Sequence, residues 1–275
     1  MNQNLDHAPL GKSSEYPDQF DSTLLFPVPR QGKRDELDIR GKLPFKGVDI
    51  WNAWEVSWLN TRGKPIVAIG EFRIPADSVN IIESKSFKLY LNSLNQARFD
   101  SFDAVSARLV KDLSLCAGGP VQVKLVTVES TANFTQIVPA EGVCIDGLDI
   151  ETDCYHTNPG LLAKASDQVV EEQLVSHLLK SNCPVTGQPD WGSVLIHYKG
   201  NQLDHEALLK YIISFRQHTE FHEQCVERIY TDISALIDFE FLNVSARYVR
   251  RGGLDINPVR TSDNVEYKNL RLSRQ

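Results

Sequence analysis

At 275 residues, with 41% hydrophobic and 24% charged content, the chain has enough apolar material for one large globular domain or two small ones. Its 36 acidic against 29 basic residues leave a net charge of −7, which argues against broad nucleic-acid binding, because that needs a basic surface. No apolar run approaches the ~20 residues of a membrane span, and five cysteines with no Cys-x-x-Cys pair and no leader-like N-terminus predict a reducing, cytoplasmic setting without a metal site.

Residues 1–45 carry Pro17, Pro27, Pro29 and Gly32 among many charges and read as an irregular arm, either loose or wrapped over the body. Trp51 to Leu59 and Ile66 to Ile74 are strand patterns around the turn Asn60-Thr61-Arg62-Gly63-Lys64-Pro65, a hairpin. Phe87, Tyr90, Leu91 and Leu94 recur at i, i+3, i+4 and i+7 and predict a helix. Val105, Leu109, Val110 and Leu113 predict a second over Phe102–Leu115, stopped by Gly118-Gly119-Pro120. Val121, Val123, Leu125 and Thr127 alternate as a strand, with Phe134 to Val138 as its partner. The join at 147–166 is polar, holds Pro159-Gly160 and suits a linker.

The second half repeats the plan. Val175-Ser176-His177-Leu178 echoes Val56-Ser57-Trp58-Leu59, Tyr211, Ser214 and Gln217 echo Tyr90, Ser93 and Gln96, and Arg228 and Asp232 echo Arg108 and Asp112, all at an offset of about 120 residues. The expectation is an α+β chain of two modules, 46–146 and 167–275, each an antiparallel sheet with helices on one face.

The chemistry concentrates at Ser181-Asn182-Cys183-Pro184-Val185-Thr186-Gly187-Gln188-Pro189-Asp190. A strand yields to a loop at Cys183 and resumes at Asp190, so strand pairing would set a thiol and a carboxyl on one frame, as a nucleophile and proton donor require. Lys180 nearby would favour a thiolate; the alternative is a small buried residue at a strand end. Lys85 and Lys88 share one face at a helix start, beside outward-pointing N–H groups, and form either a phosphate site or a solvated basic edge. Phe221, Cys225, Ile229 and Ile233 make an i, i+4 stripe, so Cys225 reads as core, while His222 and Glu223 lie off the stripe. Arg250-Arg251-Gly252-Gly253 is a turn whose guanidinium groups suit phosphate or plain solvent.

Four segments, Ser181 to Gly192, Glu83-Ser84-Lys85-Ser86-Phe87-Lys88-Leu89-Tyr90, Phe221 to Arg228 and Arg251 to Pro258, resemble the NADPH-dependent nitrile reductases of queuosine biosynthesis. These enzymes reduce 7-cyano-7-deazaguanine to 7-aminomethyl-7-deazaguanine, and the resemblance, from near Gly47 to the C-terminus, is to their long, two-module form. It implies tandem tunnelling-fold modules, a homodimer, NADPH as cofactor, no metal, and no direct contact with nucleic acid or membrane. It also implies roles. Cys183 attacks the nitrile carbon to give a thioimidate, Asp190, kept protonated in a partly apolar setting beside Trp191, supplies the proton, and His222 assists. Glu83, Phe221 and Glu223 hold the deazaguanine; Ser84, Lys85, Ser86, Lys88, Arg251 and Gly252 hold NADPH. A zinc-dependent hydrolase of the same fold, resembling GTP cyclohydrolase, is the alternative; it needs a Cys/His ligand set for which Cys183 and Cys225 lack a third partner.

Overall fold

The structure is a computed structural model and describes residues 17, 19–264 and 267–275. Its elements are β1 (Pro27–Pro29), α1 (Gln31–Glu36), β2 (Lys46–Leu59), β3 (Pro65–Pro75), β4 (Asn80–Ile82), α2 (Ser84–Ser93), α3 (Phe102–Ala117), β5 (Gln122–Val126), β6 (Val143–Cys144), β7 (Lys164–Ser176), β8 (Lys180–Asn182), β9 (Pro189–Leu203), α4 (His205–Ser214), α5 (His222–Leu236), β10 (Phe239–Tyr248) and β11 (Leu254–Thr261). The long strands form one continuous sheet in the order β5-β3-β2-β11-β10-β9-β7-β6, antiparallel throughout except for β6 on β7. The two halves of the chain therefore join by strand pairing, with β11 running against β2 from Leu254 opposite Ala53 to Thr261 opposite Lys46.

Alternation along the strands gives the sheet two unlike faces. A bulge between Ala53 and Val56 resets the alternation, so Trp51, Ala53, Val56 and Trp58 all meet one apolar core. That core also holds Phe72, Phe87, Tyr90 and Leu109, under α2 and α3. A second core, with Tyr198, Tyr211, Ile229, Leu242 and Tyr248, lies under α4 and α5. The opposite face is polar: Asn52 Nδ2 donates to Asp255 Oδ1 at 2.7 Å, and Asn269, from the C-terminal segment, donates to Asn52 and Glu71 at 2.7 and 2.8 Å.

Two hydrogen bonds recur between the halves. Tyr90 donates to Asp112 at 2.9 Å and Tyr211 to Asp232 at 2.6 Å, tying each pair of helices together, and the Ser93 and Ser214 hydroxyls donate to the carbonyls of those tyrosines.

Between the two cores sits a buried charge network. Arg260 on β11 donates to Asp49 on β2 at 2.8 Å and to Glu227 on α5 at 2.9 Å. Arg30 reaches Asp49 at 2.6 Å, and Arg34 on α1 binds both Glu227 oxygens at 3.0 and 2.7 Å. The arm thus differs from the irregular segment expected. Its residues 27–36 form a strand and a helix, and its two arginines are inserted at the junction; residues 1–16 and 18 lie outside the described residues. The strand expected at Phe134 to Val138 is also corrected. Asn133–Thr135 is a 3-10 turn, Ile137 bridges Arg271, and Val143–Cys144 instead pairs with β7 of the second half. β7 itself begins at Lys164, inside the span read as linker.

Candidate active site

β8 and β9 build the first part of the site. Ser181 lies opposite Asp190 in their antiparallel pairing, and Cys183 follows two residues after Ser181. The loop closes tightly, with Cys183 N–H donating to Gln188 O at 2.9 Å and Gly187 N–H to Cys183 O at 3.0 Å. Cys183 is buried. Lys180, expected beside the thiol, is engaged elsewhere: its Nζ donates to Asn182 Oδ1 at 2.6 Å and Arg216 O at 2.7 Å.

Asp190 is also buried, and its surroundings correct the expectation of a protonated acid. Burial pushes its pKa up, but the hydrogen bonds and charges of His222 and Arg251 outweigh burial and hold the carboxyl below its ordinary range. His222 Nε2 stands 3.3 Å from Asp190 Oδ2, and Arg251 Nη1 donates to Asp190 Oδ1 while Nη2 donates to Gln188 Oε1 at 3.0 Å. Trp191, the next residue, is partly exposed, with the Arg216 guanidinium 5.5 Å from its ring. The His222 ring stacks on Tyr248 with centroids 3.9 Å apart, and its Nδ1 is buried with no hydrogen-bond partner among the described residues.

α5 starts at His222, so His222 and Glu223 open the helix together. Phe221 precedes it and packs on Val28, Ile81 and Phe26, which brings the arm and β4 against the second half. Glu223 is fully enclosed; burial first, then the nearby Asp49 carboxylate, pushes its pKa up to about 8. Cys225 is core, as the stripe predicts: its thiol is pushed well up by burial.

Across the junction, Glu83 caps α2. Its Oε1 accepts from Lys85 N–H at 2.9 Å and its Oε2 from Ser86 N–H at 2.7 Å, while its own N–H donates to Phe26 O. A Glu at this position satisfies helix-start donors and favours the dipole. Burial nevertheless raises its pKa against those two hydrogen bonds. The capping corrects one expectation: the Lys85 and Ser86 N–H groups are taken by Glu83, so neither is open to a phosphate at α2. Ser86 is buried, its hydroxyl donating to Glu83 O at 2.7 Å and accepting from Phe26 N–H, so it too is committed internally.

Side chains converge on a cavity of about 490 Å³ whose lining includes Ser84, Lys85, Lys88, Arg250, Arg251 and Gly252, with His222 and Gln188 at its edge. Gly252 and Gly253 have φ of +56° and +80° and form the two-residue turn of the β10–β11 hairpin, a conformation that favours glycine at both places. A Cβ on Gly252 would lie 2.4 Å from Lys88 Nζ, so the lysine of one half rests against the turn of the other. The cation-rich cavity suits an anionic, phosphate-bearing cofactor. Cys183, Asp190, Glu83, Phe221 and Glu223 do not line it. Of these, Asp190 is tied to the lining through Arg251 and His222.

One metal-like grouping exists among the described residues: His218, Glu220 and Cys225 converge. Its chemistry does not fit a metal, because Arg228 already binds Glu220 through two hydrogen bonds, and His218 and Arg228 hold that carboxyl down to about 2 against burial. The Arg251–Asp190 pair, the Tyr248 platform and the arm arginines escaped the sequence reading. Arg250-Arg251 stands out in sequence as a basic turn, but nothing there shows which partner each arginine takes.

Residues 16–125 match the family model described as "Nitrile reductase, 7-cyano-7-deazaguanine-reductase N-term", and residues 189–267 match "QueF-like protein". Proteins named NADPH-dependent 7-cyano-7-deazaguanine reductase from Burkholderia ambifaria and Burkholderia vietnamiensis are each 56% identical over 274 residues, covering 99% of this chain and 100% of theirs. A solved archaeosine synthase QueF-Like in the apo form aligns over 36% of this chain and 96% of its own at 21% identity, with a TM-score of 0.31.

Proposed function

Because the chain belongs to the 7-cyano-7-deazaguanine reductase family, we propose that it reduces the nitrile of 7-cyano-7-deazaguanine to the aminomethyl group, in the pathway to queuosine, with NADPH as reductant. The observation that carries the site assignment is the chain of contacts from Lys88 through the Gly252 turn and Arg251 to Asp190 and His222, which joins a cation-lined cavity to the buried cysteine loop.

In this reading Asp190, ionised in the resting enzyme, takes the Cys183 thiol proton and delivers it to the nitrile nitrogen as sulfur bonds to the nitrile carbon. The triple bond becomes a C=N–H thioimidate with no net change in protons. NADPH, held at the cavity by Lys85, Lys88 and Arg251, would supply two hydrides, and two protons from solvent would complete the change, one making the amine and one restoring the Cys183 thiol once the carbon–sulfur bond has broken. His222, fixed by Tyr248 and Asp190, steadies the acid and offers its unpartnered Nδ1 to the site. Glu223 and Glu83 accept the N–H donors of the deazaguanine edge and Phe221 packs on its ring. The burial of Cys183 and Asp190 keeps water from the imine left after the carbon–sulfur bond breaks.

With this activity go tandem tunnelling-fold modules over residues 46–146 and 167–275, joined by 147–166, a homodimer and a cytoplasmic location. The continuous antiparallel sheet and the repeated Tyr–Asp pairs support the duplication. Among the described residues no helix is long and apolar enough to cross a membrane.

The test is the nicotinamide absorbance of protein mixed with NADPH and 7-cyano-7-deazaguanine. Two NADPH should be consumed per nitrile, Cys183→Ala should consume none, and Cys225→Ala should stay active. Consumption by Cys183→Ala at the wild-type rate would remove Cys183 from the mechanism.

A further inference from the structure

Arg251 occupies two places at once. It lines the cation-rich cavity with Lys85, Lys88 and Arg250, and its Nη1 is bound to Asp190 on the inner side. Its side chain keeps 30% of its surface exposed, whereas that of Asp190 keeps 4%. The guanidinium can therefore turn outward, but the carboxylate cannot follow it. Among the described residues, the other charged and titratable groups facing Asp190 are His222 from α5, Lys180 from β8 and Tyr248 from β10. Of these, His222 is anchored by stacking and Lys180 is engaged with Asn182 and Arg216. Arg251 is the partner that the cavity itself can draw away.

We propose that Arg251 is a positioning residue shared between Asp190 and the anionic part of the bound cofactor, so that filling the cavity releases Asp190 to carry a proton. The inference rests on the cavity being the NADPH site. When Arg251 turns to a phosphate, Asp190 loses its guanidinium partner while staying buried against His222, and burial then favours the protonated carboxyl. A proton enters from solvent, and no bond other than O–H is made. Empty enzyme thus keeps Asp190 as a base, ready for the thiol proton, and loaded enzyme keeps it as an acid, ready to protonate the nitrogen of the C=N group whose carbon receives hydride. Linkage requires the reverse effect too: whatever removes the Asp190 charge frees Arg251 for the cofactor.

The experiment is calorimetric titration of NADPH into the wild type, Asp190→Asn, Arg251→Ala and Lys88→Ala, at about pH 6 in buffers of different ionisation enthalpy, which report proton uptake. The wild type should take up a proton on binding. Asp190→Asn should show no uptake and bind NADPH roughly two- to fivefold more tightly, the factor that a partly exposed ion pair is worth. Arg251→Ala should bind more weakly and also show no uptake. A merely structural Arg251 would not make Asp190→Asn a tighter binder. Unchanged uptake in Arg251→Ala, or weaker NADPH binding by Asp190→Asn, would overturn the proposal. If instead Lys88→Ala and Arg251→Ala both bind NADPH like the wild type, it is the cavity assignment that fails.

Discussion

Two carboxylate–arginine clusters lie at the junction of the two halves, and they differ in what surrounds them. At the first, Asp49 and Glu227 are enclosed by Arg30, Arg34 and Arg260, all nearly without solvent exposure, and each carboxylate accepts from two arginines. At the second, Asp190 has one arginine and one histidine, and the arginine is a third exposed. The same chemistry serves two ends. A dry network closed off from solvent has no ligand to exchange with and acts as a rivet between β2, β11, α5 and the arm. A partly open one can exchange a partner for a ligand, which is what a reacting acid needs.

The difference predicts opposite outcomes for removing a carboxylate. Glu227→Ala leaves Arg34 buried without its carboxylate and Arg260 with Asp49 alone, and breaking a buried pair in this way typically costs about 3–5 kcal/mol. Thermal unfolding should fall by roughly 6–20 °C at the 2–4 °C per kcal/mol of a chain this size. Asp190→Asn should leave the melting temperature within a few degrees of wild type while turnover falls ~10²–10⁴-fold, as for a lost general acid. A variant pair showing the reverse ranking would erase the distinction between rivet and reactive site.

Glu223 sharpens the comparison, because it borders the dry network, where burial and the Asp49 carboxylate outweigh the pull of Arg30 and Arg260. With its pKa pushed up to about 8, it is neutral in the empty enzyme at pH 7. A carboxylate accepting two N–H groups must ionise, so nitrile binding should release a proton and tighten by up to about tenfold per pH unit as pH rises toward 8. For stability the sign is opposite: an acid with a raised folded-state pKa stabilises most below its unfolded value, near 4.5, and that contribution is lost as pH rises through 8. Titration calorimetry of Glu223→Gln should show nitrile affinity with no slope over this range; a wild type whose affinity is flat with pH would separate Glu223 from the substrate.

Smaller effects follow at the open side. Lys88→Ala should weaken NADPH binding roughly tenfold, about 1.5 kcal/mol for one charge-assisted hydrogen bond, with nitrile affinity unchanged. Prolonged chelation should change nothing; activity lost and then restored by zinc would move the chemistry to His218, Glu220 and Cys225.

Period and turn chemistry made much of this legible. The hairpin at Asn60–Pro65, the stripes of α2, α3 and α5, the strand boundaries around Cys183 and the Gly252-Gly253 turn are local patterns, and local patterns fix local structure. The state of Asp190 was not legible, because it depends on Arg251, which is 61 residues away in sequence. The place of the arm was hidden for the same reason: Arg34 meets Glu227 across 193 residues, and nothing in the sequence near Arg34 marks its partner. The missing partner strand for β5 reflects a competition that local alternation cannot show, since Ile137 and Val143 find neighbours at Arg271 and β7 instead.

The most direct test of the account is to mix the enzyme with 7-cyano-7-deazaguanine and no NADPH, and to weigh the intact protein. A gain of one substrate mass, mapped by digestion to the peptide holding Cys183, lost in Cys183→Ala and kept in Cys225→Ala, is the predicted result. No adduct at all, or one mapped to Cys116, Cys144, Cys154 or Cys225, would contradict it.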